Sequence, residues 1–183
     1  MSLDIKPAEE LVDRELEARW AARRQGPQAE VLRWVLRTFA DRGGPVTVGE
    51  VEAAFPERPV TMVRDEMAKL NEADLILMAG HEIRLAYPFS AAPTAFQVTL
   101  PNGQVRFACC ATDALGIASM LAARILISSA CHHCGQPLEL AADARGPLAA
   151  EEIMVWVGKR GEGSGAPVRA SERPSTSSGR KST

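Results

Sequence analysis

Residues 28 to 87 carry three apolar segments with helical spacing, then two short apolar segments around a glycine, and this order restricts the possible folds. In the first segment the apolar residues recur on one face of a helix, which predicts that this face is buried. These residues are Val31, Leu32, Val35, Leu36 and Phe39. Gly43, Gly44 and Pro45 follow and predict the end of this helix, because glycine and proline interrupt helical hydrogen bonding.

Two threonines predict the starts of the next two helices. Thr47 precedes Glu50 by three positions, a spacing that is typical of a capping box at a helix N-terminus. Thr61 is predicted to cap the third helix in the same way, and that helix carries Met67 and Leu70 on its apolar face.

Residues 75–78 and 83–87 flank Gly80 and are predicted to form a β-hairpin. Three helices followed by a hairpin are the order of a winged helix, which we expect to span residues 27–90. The third helix of such domains often binds DNA. Here its residues 61–74 contain two basic and four acidic side chains, so we expect no sequence-specific DNA binding and favour a structural or dimerising role.

The chain before this region predicts an amphipathic helix within residues 1–26. Val12, Leu16 and Trp20 recur every four residues from 7 to 25, with charged residues on the other faces. Such a stripe packs either on the following domain or on a second subunit, so the protein is expected to be a monomer or a homodimer.

Residues 91–158 predict a second unit, which follows a linker at residues 88–93. Asn102 and Gly103 lie between alternating apolar segments, a strong signal for a hairpin of residues 96–100 and 104–107. Further strands are predicted at 124–128, 138–140 and 153–157. These strands and one helix predict a small mixed sheet, so the expected fold class is α+β.

All four cysteines lie between residues 109 and 134, at the centre of this unit. Thr112 or Asp113 is predicted to cap the helix that follows Cys110. Cys110 would then lie at the helix N-terminus, where the macrodipole favours a thiolate, so we expect it to have the lowest thiol pKa of the four. The three-residue spacing predicts that Asp113 lies beside it, which suits thiol attack coupled to proton transfer.

The sequence Cys131-His-His-Cys134-Gly is half of a zinc knuckle, and a structural zinc site needs four ligands. Cys109 and Cys110 are candidates to complete it. Simpler interpretations stay open as well: Cys109 is a small buried apolar residue, and Asp113 is only a helix cap.

The composition of the chain argues against some classes of function. The 183 residues are 46% hydrophobic and 24% charged with a net charge of −2, which is typical of a globular protein without general affinity for nucleic acid. No apolar segment approaches the length of a membrane span, and no secretion signal is visible, so a cytoplasmic location with reduced cysteines is expected. Residues 159–183 are rich in Gly, Ser, Pro and Arg and predict a disordered tail.

The motif from Cys110 to Asp113, with Cys131 following Asp113 by 18 positions and then Gly135, resembles the core motif of organomercurial (alkylmercury) lyases. The resemblance covers roughly residues 30 to 157 and implies a degenerate winged-helix domain before the core. It implies that Cys110 is the nucleophilic mercury-binding cysteine, that Asp113 handles the proton and that Cys131 is mainly structural. The family's second catalytic cysteine comes from a later segment, whereas no cysteine follows Cys134 in this sequence.

Two functions are therefore expected. The first is a lyase that takes an organomercurial small molecule, needs no cofactor, retains Hg(II) on thiolates and passes it to mercuric reductase. Its second thiolate would come from Cys134, Cys131 or Cys109. The alternative is a non-catalytic or regulatory protein that binds Hg(II) or Zn²⁺ through all four cysteines.

Overall fold

The computed structural model describes residue 10, residues 14–150 and residues 153–155. Five helices lie in these residues: α1 Arg14–Arg23, α2 Ala29–Arg42, α3 Val48–Ala54, α4 Val60–Glu72 and α5 Ala111–Leu121. Among the described residues, none of the helices is both long and apolar enough to cross a bilayer.

Helix α1 lies within the predicted N-terminal helix. Val12 and the side chains of Leu16 and Trp20 fall outside the described part of the chain, so the packing of their stripe stays a prediction. The predicted disordered tail, residues 159–183, also lies outside the described residues.

Helix α2 buries the face that its periodicity predicts, with Val31, Val35 and Phe39 all at most 1% exposed. The helix ends where Gly43 adopts a φ of +80° and its N–H donates to the carbonyl of Phe39. A positive φ costs glycine little, which is why this residue type suits the helix end.

Helix α3 begins with the predicted capping box. The Glu50 N–H donates to the Thr47 hydroxyl at 3.2 Å, and the Glu50 carboxylate accepts the Thr47 N–H at 2.7 Å. The prediction that Thr61 caps α4 is wrong. That helix begins at Val60, because the Pro59 carbonyl already accepts the N–H groups of the first turn.

Within the described part of the chain, nine strands form one sheet. They are β1 Val46–Thr47, β2 Ile76–Ala79, β3 Glu82–Ala86, β4 Phe89–Ser90, β5 Gln97–Thr99, β6 Val105–Ala108, β7 Ile125–Ala130, β8 Pro137–Asp143 and β9 Gly146–Leu148. The strand order is β1-β3-β4-β6-β5-β7-β8-β9, and β2 pairs with β3. The α+β class is confirmed, with α2, α3, α4 and α5 packed on an antiparallel sheet.

Every neighbouring pair is antiparallel, so the predicted mixed sheet is wrong. Strands β6 and β7 run in the same direction but do not pair, because β5 lies between them and is antiparallel to both. Helix α5 makes the connection from β6 to β7. Residues 153–155, where a further strand was predicted, are in neither a strand nor a helix.

Strand β4 lies in the segment that was predicted to be a linker. Phe89 pairs with Ala86 of β3 on one side and with Ala108 of β6 on the other, so the sheet is continuous from the first hairpin to the later strands. The predicted order of three helices and a hairpin is present in α2, α3, α4 and β2–β3. Their assignment to a winged-helix domain stays a prediction.

Arg106 on β6 attaches the end of α2 to the sheet. Its side chain is buried, and its guanidinium donates to the carbonyl oxygens of Phe39, Ala40 and Asp41 at 2.9, 2.8 and 2.6 Å. The Ala40 and Asp41 carbonyls belong to the last turn of α2, where helical acceptors lack intrahelical donors, whereas the Phe39 carbonyl also accepts the Gly43 N–H. Phe39 also stacks on Phe89 of β4, so the two contacts hold helix and sheet together.

Candidate functional site

Cys110 lies at the junction of β6 and α5. Strand β6 ends at Ala108, and the Cys109 N–H then donates to the carbonyl of Pro88 at 3.0 Å. The Cys110 carbonyl accepts the N–H of Ala114, so Cys110 itself is the N-cap of α5. The prediction that Thr112 or Asp113 caps this helix is therefore wrong, because the chain turns from strand to helix two residues earlier.

The side chain of Cys110 meets that of Asp113, as their spacing predicts. The sulfur lies 2.9 Å from Asp113 Oδ2 and accepts the Asp113 backbone N–H at 3.4 Å. Both arise within the first turn of α5, which brings residues three apart to one point. The proximity is confirmed, and the catalytic roles of the two residues stay predictions.

Thr112 is a further residue of this site whose role the sequence did not indicate. Its hydroxyl lies 2.9 Å from the Cys110 sulfur and lowers the pKa of that thiol against the larger opposing effects. The only sign of this role in the sequence is that Thr112 lies two residues after Cys110, a position that by itself predicts a helix cap.

The Cys110 thiol is held in its protonated form. Burial raises its pKa, and the hydrogen bond to the Asp113 carboxylate raises it further, because a negative charge beside the sulfur disfavours a thiolate. Burial also raises the pKa of Asp113. The thiol proton therefore lies between two groups that both resist ionisation.

Cys109 belongs to the same electrostatic environment. Burial, followed by the charges of Asp113 and Cys110, raises the pKa of Cys109 to about 12. The residue is half-buried, so it is neither a fully buried apolar residue nor an exposed thiol. At neutral pH it carries its proton.

The second cysteine segment forms the turn between β7 and β8. The Cys131 N–H donates to the carbonyl of Gln136, and the Gly135 N–H donates to the carbonyl of Cys131, both at 2.8 Å. Gly135 has a φ of +73°, which closes the turn at little cost for a glycine. Cys134 is exposed at the tip, beside the exposed His132 and His133.

The pKa of Cys131 is lowered. The backbone N–H groups of Cys134 and His133, and then the Cys134 thiol, hydrogen-bond its sulfur and stabilise the thiolate. The prediction that Cys110 has the lowest thiol pKa is wrong, because burial and Asp113 outweigh the helix N-terminus at Cys110.

The two cysteine segments lie at the same edge of the sheet. Gln97 of β5 pairs with Phe107 of β6 and also with Ser128 of β7. Strands β6 and β7 run in the same direction. Cys110 lies three positions after Phe107, and Cys131 lies three positions after Ser128. The C-terminal ends of β6 and β7 are therefore two strand spacings apart, or about 10 Å.

The predicted metal ligands Cys109, Cys110, Cys131 and Cys134 lie in two separate segments, and their metal site stays a prediction. Within the described residues no group of three or more His, Cys, Asp or Glu side chains is arranged to hold a metal ion. The Cys110 sulfur contacts Asp113 and Thr112 in the first turn of α5, whereas the Cys131 sulfur is hydrogen-bonded within its own turn. Each set of sulfurs therefore makes its contacts within its own segment.

The rates of alkylation of the cysteines test how reactive each thiol is. At neutral pH we expect iodoacetamide to modify Cys131 before Cys110, and Cys109 last, because the thiolate is the reactive form. Peptide mass spectrometry over a time course measures the order, and the unfolded chain, in which all four cysteines are equivalent, is the control. Modification of Cys110 first would contradict the expectation.

Both cysteine segments lie in a part of the chain that is similar to known proteins. Residues 89–171 match the sequence profile of MerB, alkylmercury lyase. No curated protein matches the sequence at a significant level. A crystal structure described as the mercury-bound form of MerB2 superposes with a TM-score of 0.62 at 24% identity, which is evidence for the fold.

That superposition covers 74% of this chain and 66% of the MerB2 chain, just under two thirds of its length. The profile match begins at β4 and includes α5 and both cysteine segments. The candidate site therefore lies within residues 89–171, the part of the chain that matches the alkylmercury lyase family.

Proposed function

We propose that this protein cleaves the carbon–mercury bond of organomercurial compounds by protonolysis, with Cys110 as nucleophile and Asp113 as proton carrier. The observation that carries the proposal is the 2.9 Å contact between the Cys110 sulfur and Asp113 Oδ2, inside the region that matches the family. A thiol and a carboxyl group at this distance can exchange one proton directly.

In the first step the Cys110 sulfur bonds to the mercury of R–Hg–X, where X is a thiolate. Sulfur and mercury are both soft, so this bond is strong even from a thiol whose pKa is raised. As the S–Hg bond forms, the thiol proton passes to Asp113. The raised pKa of Asp113 helps the neutral carboxylic acid to persist until the next step.

In the second step Asp113 gives this proton to the carbon that is bonded to mercury. The electron pair of the Hg–C bond forms the new C–H bond, the hydrocarbon R–H leaves, and Hg(II) stays on Cys110. Cys110–SH and R–Hg–X thus become Cys110–S–Hg–X and R–H, and Asp113 ends as the carboxylate with which it began.

A second thiolate on mercury would weaken the Hg–C bond by raising its electron density. We assign this role to Cys109. Its pKa responds to the charges of both Cys110 and Asp113, so it shares their environment. When its sulfur bonds to mercury it displaces X, and the Cys109 proton leaves with X as the free thiol HX, which the strength of the Hg–S bond favours.

The family resemblance supplies the remaining parts of the proposal. We place the protein in the cytoplasm, with mercuric reductase as the acceptor of Hg(II), and interpret residues 27–90 as a winged-helix-like domain without a DNA-binding role. Residues 61–74 are net acidic, which supports the last point.

Incubation of the reduced protein with phenylmercury and excess thiol tests the reaction. We expect benzene to form well above the rate with thiol alone, with Hg(II) as the other product. Gas chromatography measures the hydrocarbon. Retention of mercury without benzene would instead support the non-catalytic function, a soft-metal binding protein on the same fold.

A further inference from the structure

The β7–β8 turn is built around two sulfurs that the proposed reaction does not use. Cys131 and Cys134 are separated by two residues, and backbone hydrogen bonds from Cys131 to Gln136 and from Gly135 to Cys131 close the turn at both ends. The positive φ of Gly135 lets the chain leave the turn toward β8. The turn is therefore fixed by its backbone.

Both sulfurs of the turn remain accessible. The pKa of Cys131 is lowered by the backbone N–H groups of Cys134 and His133 and by the Cys134 thiol, so all three act on the Cys131 sulfur. Cys134 and both histidines of the turn are exposed, and Cys131 is partly exposed. Backbone N–H donors of this kind also stabilise a sulfur that is bonded to a metal, because they neutralise part of its charge.

The number of sulfurs in the turn indicates which metal ion it can bind. Zn²⁺ in a structural site takes four ligands in a tetrahedron, so one such turn supplies half of them. Hg(II) is softer and is held stably by two thiolates on opposite sides. We propose that Cys131 and Cys134 form a two-thiolate site for Hg(II), separate from Cys110 and Asp113.

The location of this site suggests what it does, and this part of the inference rests on the proposed function. The ends of β6 and β7 lie at one edge of the sheet, about 10 Å apart, so Hg(II) released at Cys110 has an exposed pair of thiols nearby. Transfer proceeds by thiolate exchange. The bonds from mercury to Cys110 and Cys109 break, bonds to Cys131 and Cys134 form, and their two protons go to Cys110 and Cys109.

Native mass spectrometry of the full reduced chain tests the site with inorganic Hg²⁺ as the probe and excess glutathione as competitor. We expect the Cys110→Ser variant to retain one mercury on a monomer with loss of two protons. Adding Cys134→Ser should weaken retention about 100-fold, because the second sulfur then no longer binds intramolecularly. Cys110→Ser combined with Cys109→Ser is the matched control and should retain the metal.

Equal retention with and without Cys134 would overturn the site, and so would mercury that is found only in a dimer, where sulfurs of two copies share it. Neither outcome depends on carbon–mercury cleavage, since Cys110 is absent and the probe is inorganic. A separate measurement tests the transfer: after one turnover of phenylmercury without added thiol, Cys131 and Cys134 should be protected from alkylation. Benzene release with only Cys110 and Cys109 protected would overturn the transfer.

Discussion

Replacing Asp113 by asparagine is expected to lower the rate of carbon–mercury cleavage by about 10²–10⁴-fold, the usual contribution of a positioned proton donor. Asparagine has nearly the same shape but cannot accept the Cys110 proton or deliver it to carbon. Hg(II) binding should change little, because an oxygen ligand adds little to a soft metal. Benzene release from phenylmercury measures the first effect, and native mass spectrometry measures the second.

Two further variants sharpen this result. Cys110→Ser should abolish cleavage as well, because the hydroxyl is a poor ligand for mercury. Asp143→Asn is the matched control: Asp143 accepts the Arg145 N–H at 2.7 Å in the turn between β8 and β9, so its loss should leave the rate unchanged. An Asp113→Asn protein that works within tenfold of the parent would remove Asp113 from the mechanism.

Replacing Arg106 by methionine is expected to lower the free energy of unfolding by about 3 kcal/mol, because buried carbonyl oxygens at the end of α2 lose charged hydrogen-bond donors. Methionine keeps much of the side-chain volume, so the loss reports on the hydrogen bonds to Phe39, Ala40 and Asp41. Urea unfolding followed by circular dichroism measures the change.

Arg84→Met is the control for this second result. Arg84 pairs with Glu82 on the surface, and its side chain is 62% exposed. Exposed ion pairs contribute little, so this variant should change the free energy of unfolding by less than about 1 kcal/mol. Equal effects of the two substitutions would mean that Arg106 does not hold α2 to the sheet.

The sequence by itself determined the features that depend on residues close together in the chain. The buried face of α2 follows from helical periodicity, and the capping box of Thr47 and Glu50 lies within one turn. The contact of Cys110 with Asp113 is of the same kind, since three residues in a helix start cover a short distance. The family motif also depends only on spacing along the chain.

The tertiary structure alone decided the features that depend on distant residues. Phe89 pairs with Ala108 of β6, which turned a predicted linker into the strand that joins the sheet. The insertion of β5 between β6 and β7 replaced a parallel pair by two antiparallel ones and put both cysteine segments at one edge. No local pattern encodes which strands become neighbours, because pairing depends on the packing of the whole sheet.

The order of the thiol pKa values also depends partly on the local sequence and partly on the tertiary structure. The helix N-terminus at Cys110 is visible in the sequence and favours a thiolate. Burial of that sulfur and the hydrogen bond to the Asp113 carboxylate act the other way and are stronger. At Cys131 an exposed turn directs backbone N–H groups to the sulfur. Burial is a property of the folded chain, so residue types and spacing could identify these cysteines but could not rank their acidity.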